Sequence, residues 1–254
     1  MDAVLILLLI VLSLALGSFL NVVIHRLPRR ESLVSPGSHC PSCNHGIRFY
    51  ENIPLLSFLI LNGKCRHCGA PISWRYPIVE GLTALVIMSL FSVYGWSTEF
   101  LVYGILALFL VPISMIDLET GFIPDKLTLP ALIMGIIFLV VFQFVNWKSA
   151  LIGAVSGGVF MLLLLVAGKA IFKKDAMGMG DVKLLVMTGV YVGFPGVFLS
   201  LFFGSFVAVI AIAVGLILKR LSLKTTLPFG PFIAIGTLVY LLGGRILVNW
   251  YLGL

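Results

Sequence analysis

The sequence predicts an all-α polytopic membrane protein of about eight transmembrane helices, with a small cytoplasmic zinc-ribbon-like insertion between helices 1 and 2. Three observations lead there. Hydrophobic residues make up 60% of the 254 residues and charged ones only 11%, with a mean hydropathy of +1.15, well above the apolar share of ordinary soluble domains. The apolar residues gather into runs near the length a bilayer requires, roughly 20 residues with about 17 as a lower limit. The only sizeable polar segment, 28–76, contains all four cysteines.

The apolar runs are 4–24, 78–94, 100–116, 127–145, 150–172, 182–192, 197–218 and 229–251. The expected organisation is therefore a first transmembrane helix over 1–27, a cytoplasmic four-cysteine domain over 28–76 and a seven-helix membrane domain over 77–254. The first run reads as a spanning helix rather than a cleaved leader. Asp2 stands where a basic stretch would be, and Asn21, His25 and Arg26 follow instead of a small-residue cleavage site. No internal repeat or low-complexity tract is legible.

The sixth run is short and is followed by Gly193-Phe194-Pro195-Gly196, so a re-entrant loop competes with a crossing, and the basic residues arbitrate. With eight crossings, one side receives Arg26, Arg29, Arg30, Arg48, Lys64, Arg66, Arg75, Lys126, Lys169, Lys173, Lys174, Lys183, Lys219, Arg220 and Lys224, and the other only Lys148 and Arg245. A re-entrant sixth run would move Lys219, Arg220 and Lys224 across and spoil the asymmetry. The positive-inside rule thus predicts eight spans with both termini outside. The net charge of +7 lies in short clusters between apolar runs. It reports orientation in a bilayer, and no nucleic-acid partner is expected.

This topology brings two acids together. The third span runs inward and ends at Asp117, while the sixth starts from inside just after Asp181, so both carboxylates are expected at the cytoplasmic edge. Charge at membrane depth costs several kcal/mol on insertion scales, which makes such acids functional candidates. Two neighbouring carboxylates cannot both ionise, so one keeps a proton when the other has lost it, which supplies a general acid and a general base in one site. Such a dyad can deprotonate water attacking a peptide carbonyl and protonate the developing oxyanion. Gly178 and Gly180, in Gly178-Met179-Gly180-Asp181, would let a backbone approach an extended substrate closely. The competing reading makes Asp181 an N-cap of the sixth helix and Asp117 a helix end in interfacial water.

Other polar residues admit simpler roles. Asp125 after Pro124 reads as an N-cap, with membership of the dyad as the alternative. Glu80, near the start of the second span, is a substrate contact or an acid favoured by a helix N-terminus. Asn21 and His25 read as helix-packing or interfacial groups, and Lys173, Lys174 and Lys183 as orientation signals.

The metal signal is Cys40-Pro41-Ser42-Cys43 and Cys65-Arg66-His67-Cys68. Two residues between paired cysteines let both thiolates of a turn reach one tetrahedral ion, and two such turns close a four-sulfur zinc site. A cytoplasmic location argues against disulfides. Redox-active or unligated thiols, and His45 or His67 as substitute ligands, are the alternatives. A site with four protein ligands has no open position, so its role would be structural, folding a segment too polar to build a core.

Taken together, these residues resemble the type IV prepilin peptidases, bifunctional leader peptidases and N-methyltransferases of the aspartic Gly-X-Gly-Asp class. The likeness covers nearly the whole chain. It includes Gly17-Ser18-Phe19-Leu20-Asn21-Val22-Val23-Ile24-His25-Arg26-Leu27-Pro28, both cysteine pairs, Asn52-Ile53-Pro54, Arg75-Tyr76-Pro77-Ile78-Val79-Glu80, Ile116-Asp117-Leu118, Ile123-Pro124-Asp125, Gly178-Met179-Gly180-Asp181-Val182-Lys183 and Pro228-Phe229-Gly230-Pro231-Phe232. The resemblance puts the catalytic aspartates at Asp117 and Asp181. It implies prepilins or pseudopilins as substrates, cut on the cytoplasmic face of a bacterial inner membrane after the glycine that ends a basic leader. It further implies transfer of a methyl group from S-adenosylmethionine to the new N-terminal amine. No strand-turn-helix nucleotide fingerprint is present, so methyl transfer rests on the resemblance alone, and a peptidase-only member is the nearest alternative. A proton- or cation-coupled transporter is the alternative from another class, but its acids belong near the midplane on broken helices in matched halves. A zinc-stabilised scaffold without catalysis would leave aspartate substitutions silent.

Overall fold

The computed structural model describes residues 3–172, 178–221 and 227–244. Lys173, Lys174, Lys224, Arg245 and the far end of the eighth expected span lie outside the described residues. Among those described, the protein is helical with no strand, and six helices are long and apolar enough to cross a membrane, with a shorter apolar one over Gly230–Gly244. The chain divides into two compact units, 1–92 and 93–254.

In the first unit, α1 (Ala3–Arg26) and most of α3 (Arg75–Tyr94) flank a loop-rich insertion containing a short α2 (Leu56–Ile60). The helices meet where α1 has no side chain: a Cβ on Gly17 would fall 2.8 Å from Glu80 Cα. Asn21 Nδ2 donates across the same seam to the Tyr76 carbonyl (3.1 Å). Arg26, buried at the end of α1, donates to the carbonyls of Ser32 (2.9 Å) and Gly37 (3.2 Å) and so folds the insertion back on the helix. Val4, Leu7, Leu8 and Val11 on α1 are exposed, as expected where the partner is lipid.

The insertion contains a repeat that the sequence did not reveal. Asn44 N–H donates to the Cys40 carbonyl and Gly69 N–H to that of Cys65; Cys40 N–H donates to His45 and Cys65 N–H to Ala70. Bridges pair His39 with Gly46 and Lys64 with Pro71. The two turns are the same knuckle built twice, and each passes through a positive φ, at Asn44 (55°) and Gly69 (71°). Asn and Gly are the residues that tolerate that region. Identity is low because only cysteine spacing and backbone torsions must match.

The second unit holds α4 (Thr98–Thr120), α5 (Asp125–Phe142), α6 (Trp147–Phe172), α7 (Met179–Ile217) and α8 (Gly230–Val239). Ser97 Oγ accepts the Phe100 N–H to start α4, and Gly121, at φ 66°, ends it with its N–H on the Asp117 carbonyl (2.8 Å). The buried residues Tyr103, Leu106, Leu110 and Ile113 run at three- and four-residue spacing along one face of α4. Asp117 is the next residue on that stripe.

The sixth and seventh expected spans are the two arms of α7. Its backbone breaks at Gly193 (φ 72°, ψ −175°), a region essentially restricted to glycine. Leu185 Cγ and Val197 Cγ2 lie 3.4 and 2.8 Å from where a Cβ on Gly157 would sit, whereas along a straight helix they would be about 18 Å apart. The arms therefore turn back on one another. Ser149 Oγ, at the start of α6, accepts the Phe194 N–H at the turn (3.1 Å). The first arm, Met179–Val192, is only roughly 20 Å long at about 1.5 Å per residue.

Glycines set the packing throughout. A Cβ on Gly189 would meet the Gly153 carbonyl at 2.7 Å, and one on Gly204 would overlap the Phe232 carbonyl oxygen. Gly189→Val is therefore expected to lower stability by roughly 1–3 kcal/mol through overpacking, read as a drop in the unfolding temperature of the detergent-solubilised protein. Gly81→Ala, where nothing lies within 4 Å, should leave it unchanged. Equal behaviour of the two would show that the close α6–α7 approach is not a packing constraint.

Candidate active site and metal centre

Asp117 occupies the last turn of α4 and Asp181 the first turn of α7, and both are buried, at 4% and 7% exposure. Each is held by a backbone N–H. Gly230 N–H, at the start of α8, donates to Asp117 Oδ2 (2.9 Å). Gly178 N–H donates to Asp181 Oδ2 (3.2 Å), and Asp181 N–H returns a bond to the Gly178 carbonyl (3.2 Å). Gly178 is thus the N-cap of α7 and Asp181 its third residue, one half of a capping box. Capping engages only one oxygen, since Asp181 Oδ1 is buried without a hydrogen-bond partner. The cap reading and the catalytic reading are therefore compatible.

Ile123 joins the site. It sits beneath both glycine turns, with its Cβ 2.8 Å from where a Cβ on Gly180 would be and its Cδ1 3.1 Å from the equivalent point on Gly230. The same point on Gly230 lies 2.6 Å from Asp117 Oδ2. The two carboxylates are within electrostatic range of one another. Gly230 belongs to the stretch Pro228–Phe232 that carries part of the family resemblance, but its contact with Asp117 was not expected; the local signal was a glycine followed by a proline in the first turn of a helix.

Asp125 does not cap α5. Pro124 holds that position, and the Asp125 carboxylate binds Lys183 Nζ through both oxygens (2.7 and 2.9 Å). Proline offers no side-chain acceptor, and the acid one residue later points to the lysine on α7. Both are about half exposed, so the pair adds at most about 1 kcal/mol. It does tie the first turns of α5 and α7 together, and it gives Lys183 a local role.

In the first unit the four thiol sulfurs of Cys40, Cys43, Cys65 and Cys68 lie within 4.8 Å of one another, with Cys40 Sγ and Cys68 Sγ 3.9 Å apart. A tetrahedral ion with metal–sulfur bonds of about 2.3 Å requires sulfurs about 3.8 Å apart, so the four residues fit a closed metal site. None forms a disulfide. His45 and His67 stack on each other instead (centroids 4.3 Å apart). The Ser42 and Cys43 N–H groups hold the Cys40 thiol down at about 6. At Cys43 the His45 N–H pulls the same way, but burial and the neighbouring sulfurs of Cys68, Cys40 and Cys65 outweigh it and push the thiol up to about 12. The protons that resist leaving are the ones a cation displaces.

The same unit holds an open cavity of about 910 Å³ lined by Ser18, Asn21, Glu80, Arg26, Tyr50 and Tyr76 among others. Asn21 Nδ2 donates to the carbonyls of Gly17 (3.4 Å) and Tyr76 (3.1 Å), while Asn21 Oδ1 is buried without a partner. Glu80 Oε2 accepts the N–H of Leu55 (2.9 Å), a residue held at φ 61°.

Two outcomes test these sites. Metal binding to thiols releases protons, so occupancy should be full at neutral pH and fall as acid competes for the four thiolates. Metal content per chain across pH 5–8 checks this, and four freely titrating thiols with no metal at pH 8 would rule the site out. Gly230→Ala must push a methyl group into Asp117, so catalytic turnover should fall on the order of 10²-fold, the scale of a 1 Å misplacement, in a protein that still inserts. Unchanged turnover would show that the Gly230 contact does not position Asp117.

Comparison with known proteins places the chain. Residues 11–94 match the bacterial peptidase A24 N-terminal domain, and residues 104–216 the type IV leader peptidase family. A prepilin leader peptidase/N-methyltransferase of Aeromonas hydrophila is 42% identical over 267 residues, covering 94% of this chain and 91% of that protein. Proteins of the same name from Pseudomonas aeruginosa (38% identical; 96% and 92% covered) and Neisseria gonorrhoeae (35%; 95% and 93%) are also similar. No solved structure matches. With matches that begin in α1, pass through the cysteine pairs and both aspartates and run to the second arm of α7, the chain belongs to the type IV leader peptidase family.

Proposed function

We propose that this protein is an aspartic endopeptidase of the bacterial inner membrane that removes the basic leader of type IV prepilins or pseudopilins, cutting after glycine on the cytoplasmic face. It then methylates the new N-terminal amine. The observation that carries the proposal is a pair of buried carboxylates, each anchored through one oxygen by a glycine N–H. In this reading Asp181 Oδ1, the oxygen without a partner, takes the proton from the attacking water. Asp117, in its protonated state, donates to the carbonyl oxygen as charge develops there. As the intermediate collapses, Asp181 gives that proton to the leaving amine and Asp117 takes one back from the intermediate's hydroxyl, which restores both acids for the next turnover. Gly178 and Gly180 leave room for the substrate backbone beside Asp181.

Both chain termini lie outside in this reading. Residues 28–76 form the cytoplasmic insertion and 77–254 the seven-helix membrane domain. The metal is zinc, held by Cys40, Cys43, Cys65 and Cys68 in a closed structural site, which suits an all-thiolate tetrahedral ligand set. S-adenosylmethionine supplies the methyl group, and methyl transfer belongs to the first unit, which has a cavity of about 910 Å³.

The test is to incubate the detergent-solubilised protein with a prepilin and S-adenosylmethionine and to read the N-terminal mass. The product should be shorter by its leader and heavier by one methyl group. Asp117→Asn and Asp181→Asn should each lower cleavage by on the order of 10²–10⁴-fold while the protein stays inserted. Normal cleavage by either variant would sink the dyad. Because the acids share a proton, the rate should fall at both acidic and alkaline pH; a flat profile would contradict proton sharing.

A further inference from the structure

The wall of the first unit's cavity includes one buried acceptor that no donor among the described residues meets. The Asn21 amide has only one orientation open to it, since Gly17 and Tyr76 both offer carbonyl oxygens and its NH2 must face them. Asn21 Oδ1 is therefore the atom left over, in a residue 1% exposed. A buried acceptor without a donor is a loss that a ligand can repair. Gly17, one turn before Asn21 on α1, is the point at which the Glu80 backbone touches that helix, so Asn21 and Glu80 stand on either side of one close contact.

Glu80 adds charge. It is 6% exposed, its carboxylate accepts from the Leu55 N–H, and among the described residues no cation pairs with it. Each of the cavity's arginines has a contact other than Glu80. Arg26 serves the carbonyls of Ser32 and Gly37, Arg48 donates to Tyr50 Oη, Arg66 pairs with Glu51 and Arg75 lies over the Tyr76 ring. A carboxylate and an unfilled amide oxygen on residues lining one cavity suit a group with positive charge and several N–H donors.

We infer that this cavity is a recognition site for a primary ammonium group, bound by Asn21 Oδ1 and the Glu80 carboxylate, and that the amine-bearing ligand of the methyl-transfer step occupies it. The inference rests on the methyl-transfer reading above. Two molecules of that step carry such an amine, the methyl donor through its α-amino group and the cleaved protein through its new N-terminus. A cavity of about 910 Å³ is within the range that encloses a nucleoside-sized ligand.

Calorimetric titration of the full-length, metal-loaded protein decides it with four ligands: S-adenosylhomocysteine, its analogue without the α-amino group, and the N-terminal peptide of a processed prepilin with a free or an acetylated amine. Glu80→Gln is the variant of choice, because Gln still accepts the Leu55 N–H. Its unfolding temperature without ligand serves as the control on folding. The expected result is that the wild type prefers one amine-bearing ligand over its amine-free partner by about 10- to 100-fold, the scale of a charge-assisted hydrogen bond, and that Glu80→Gln removes this preference alone. Loss confined to the nucleoside pair identifies the methyl donor as occupant, and loss confined to the peptide pair identifies the cleaved protein. Equal affinities of wild type and Glu80→Gln for all four ligands overturn the inference. A wild type that binds no S-adenosylhomocysteine and makes no methylated product overturns the methyl-transfer reading instead, while the peptide pair still judges the ammonium site.

Discussion

Helices surrounded by lipid gain nothing by hiding apolar surface from water, so their association depends on backbones that can approach closely. In the second unit that approach is made at glycines. Gly153 and Gly189 join α6 to the first arm of α7, and Gly204 and Gly236 join the second arm to α8 at separations where any Cβ would overlap backbone atoms. These contacts fix rotation as well as distance. A helix turned by one residue rotates its side chains by about 100°, which would carry Asp181 off the buried stripe it shares with Leu184, Leu185 and Thr188. Where α8 begins is set by the same packing, and with it the N–H that Gly230 gives to Asp117.

Much of this was legible in the residues before any coordinates. The membrane spans follow from composition, and the turn in α7 from Gly193-Phe194-Pro195-Gly196, where glycine adopts a torsion closed to other residues and proline suits the first turn of the next arm. Asp117 and Asp181 lie at three- or four-residue spacing from buried apolar neighbours, the pattern of residues facing inward. The partners of the acids were not legible, because hydrogen bonds from Gly178 and Gly230 come from backbone, which no side-chain pattern encodes. Asp125 misleads for a related reason. An acid at a helix start reads as a cap, yet whether it caps depends on a shift of one residue, and the lysine that claims it lies far along the chain on α7.

The first unit solves a different problem. Its insertion has two knuckles whose shared geometry lies in torsions and carbonyl contacts rather than in residue identity, and a repeat of that kind is invisible to a search for similar letters. Cysteine spacing, by contrast, is read directly, since thiolates must meet at one point. A metal held there would replace the hydrophobic core that so short and polar a segment lacks. The arginines and tyrosines left around it are therefore free of core duties, and they line the cavity instead.

A buried carboxylate faces opposed demands. With both oxygens fully bonded it is stable but has little tendency to accept a proton; with neither bonded it is costly to keep in place. Asp181 meets both by dividing its oxygens, one given to the Gly178 N–H and one left without a partner. The unpaired Asn21 Oδ1 follows the same logic in the first unit, where the amide's NH2 secures the helix seam and its oxygen stays open. Each is stabilised by structure through one atom and made available through the other. The chemistry then imposes an order, because the amine that is methylated exists only after the peptide bond is cut. Methyl transfer therefore follows cleavage, whichever amine-bearing ligand of that step the first unit recognises.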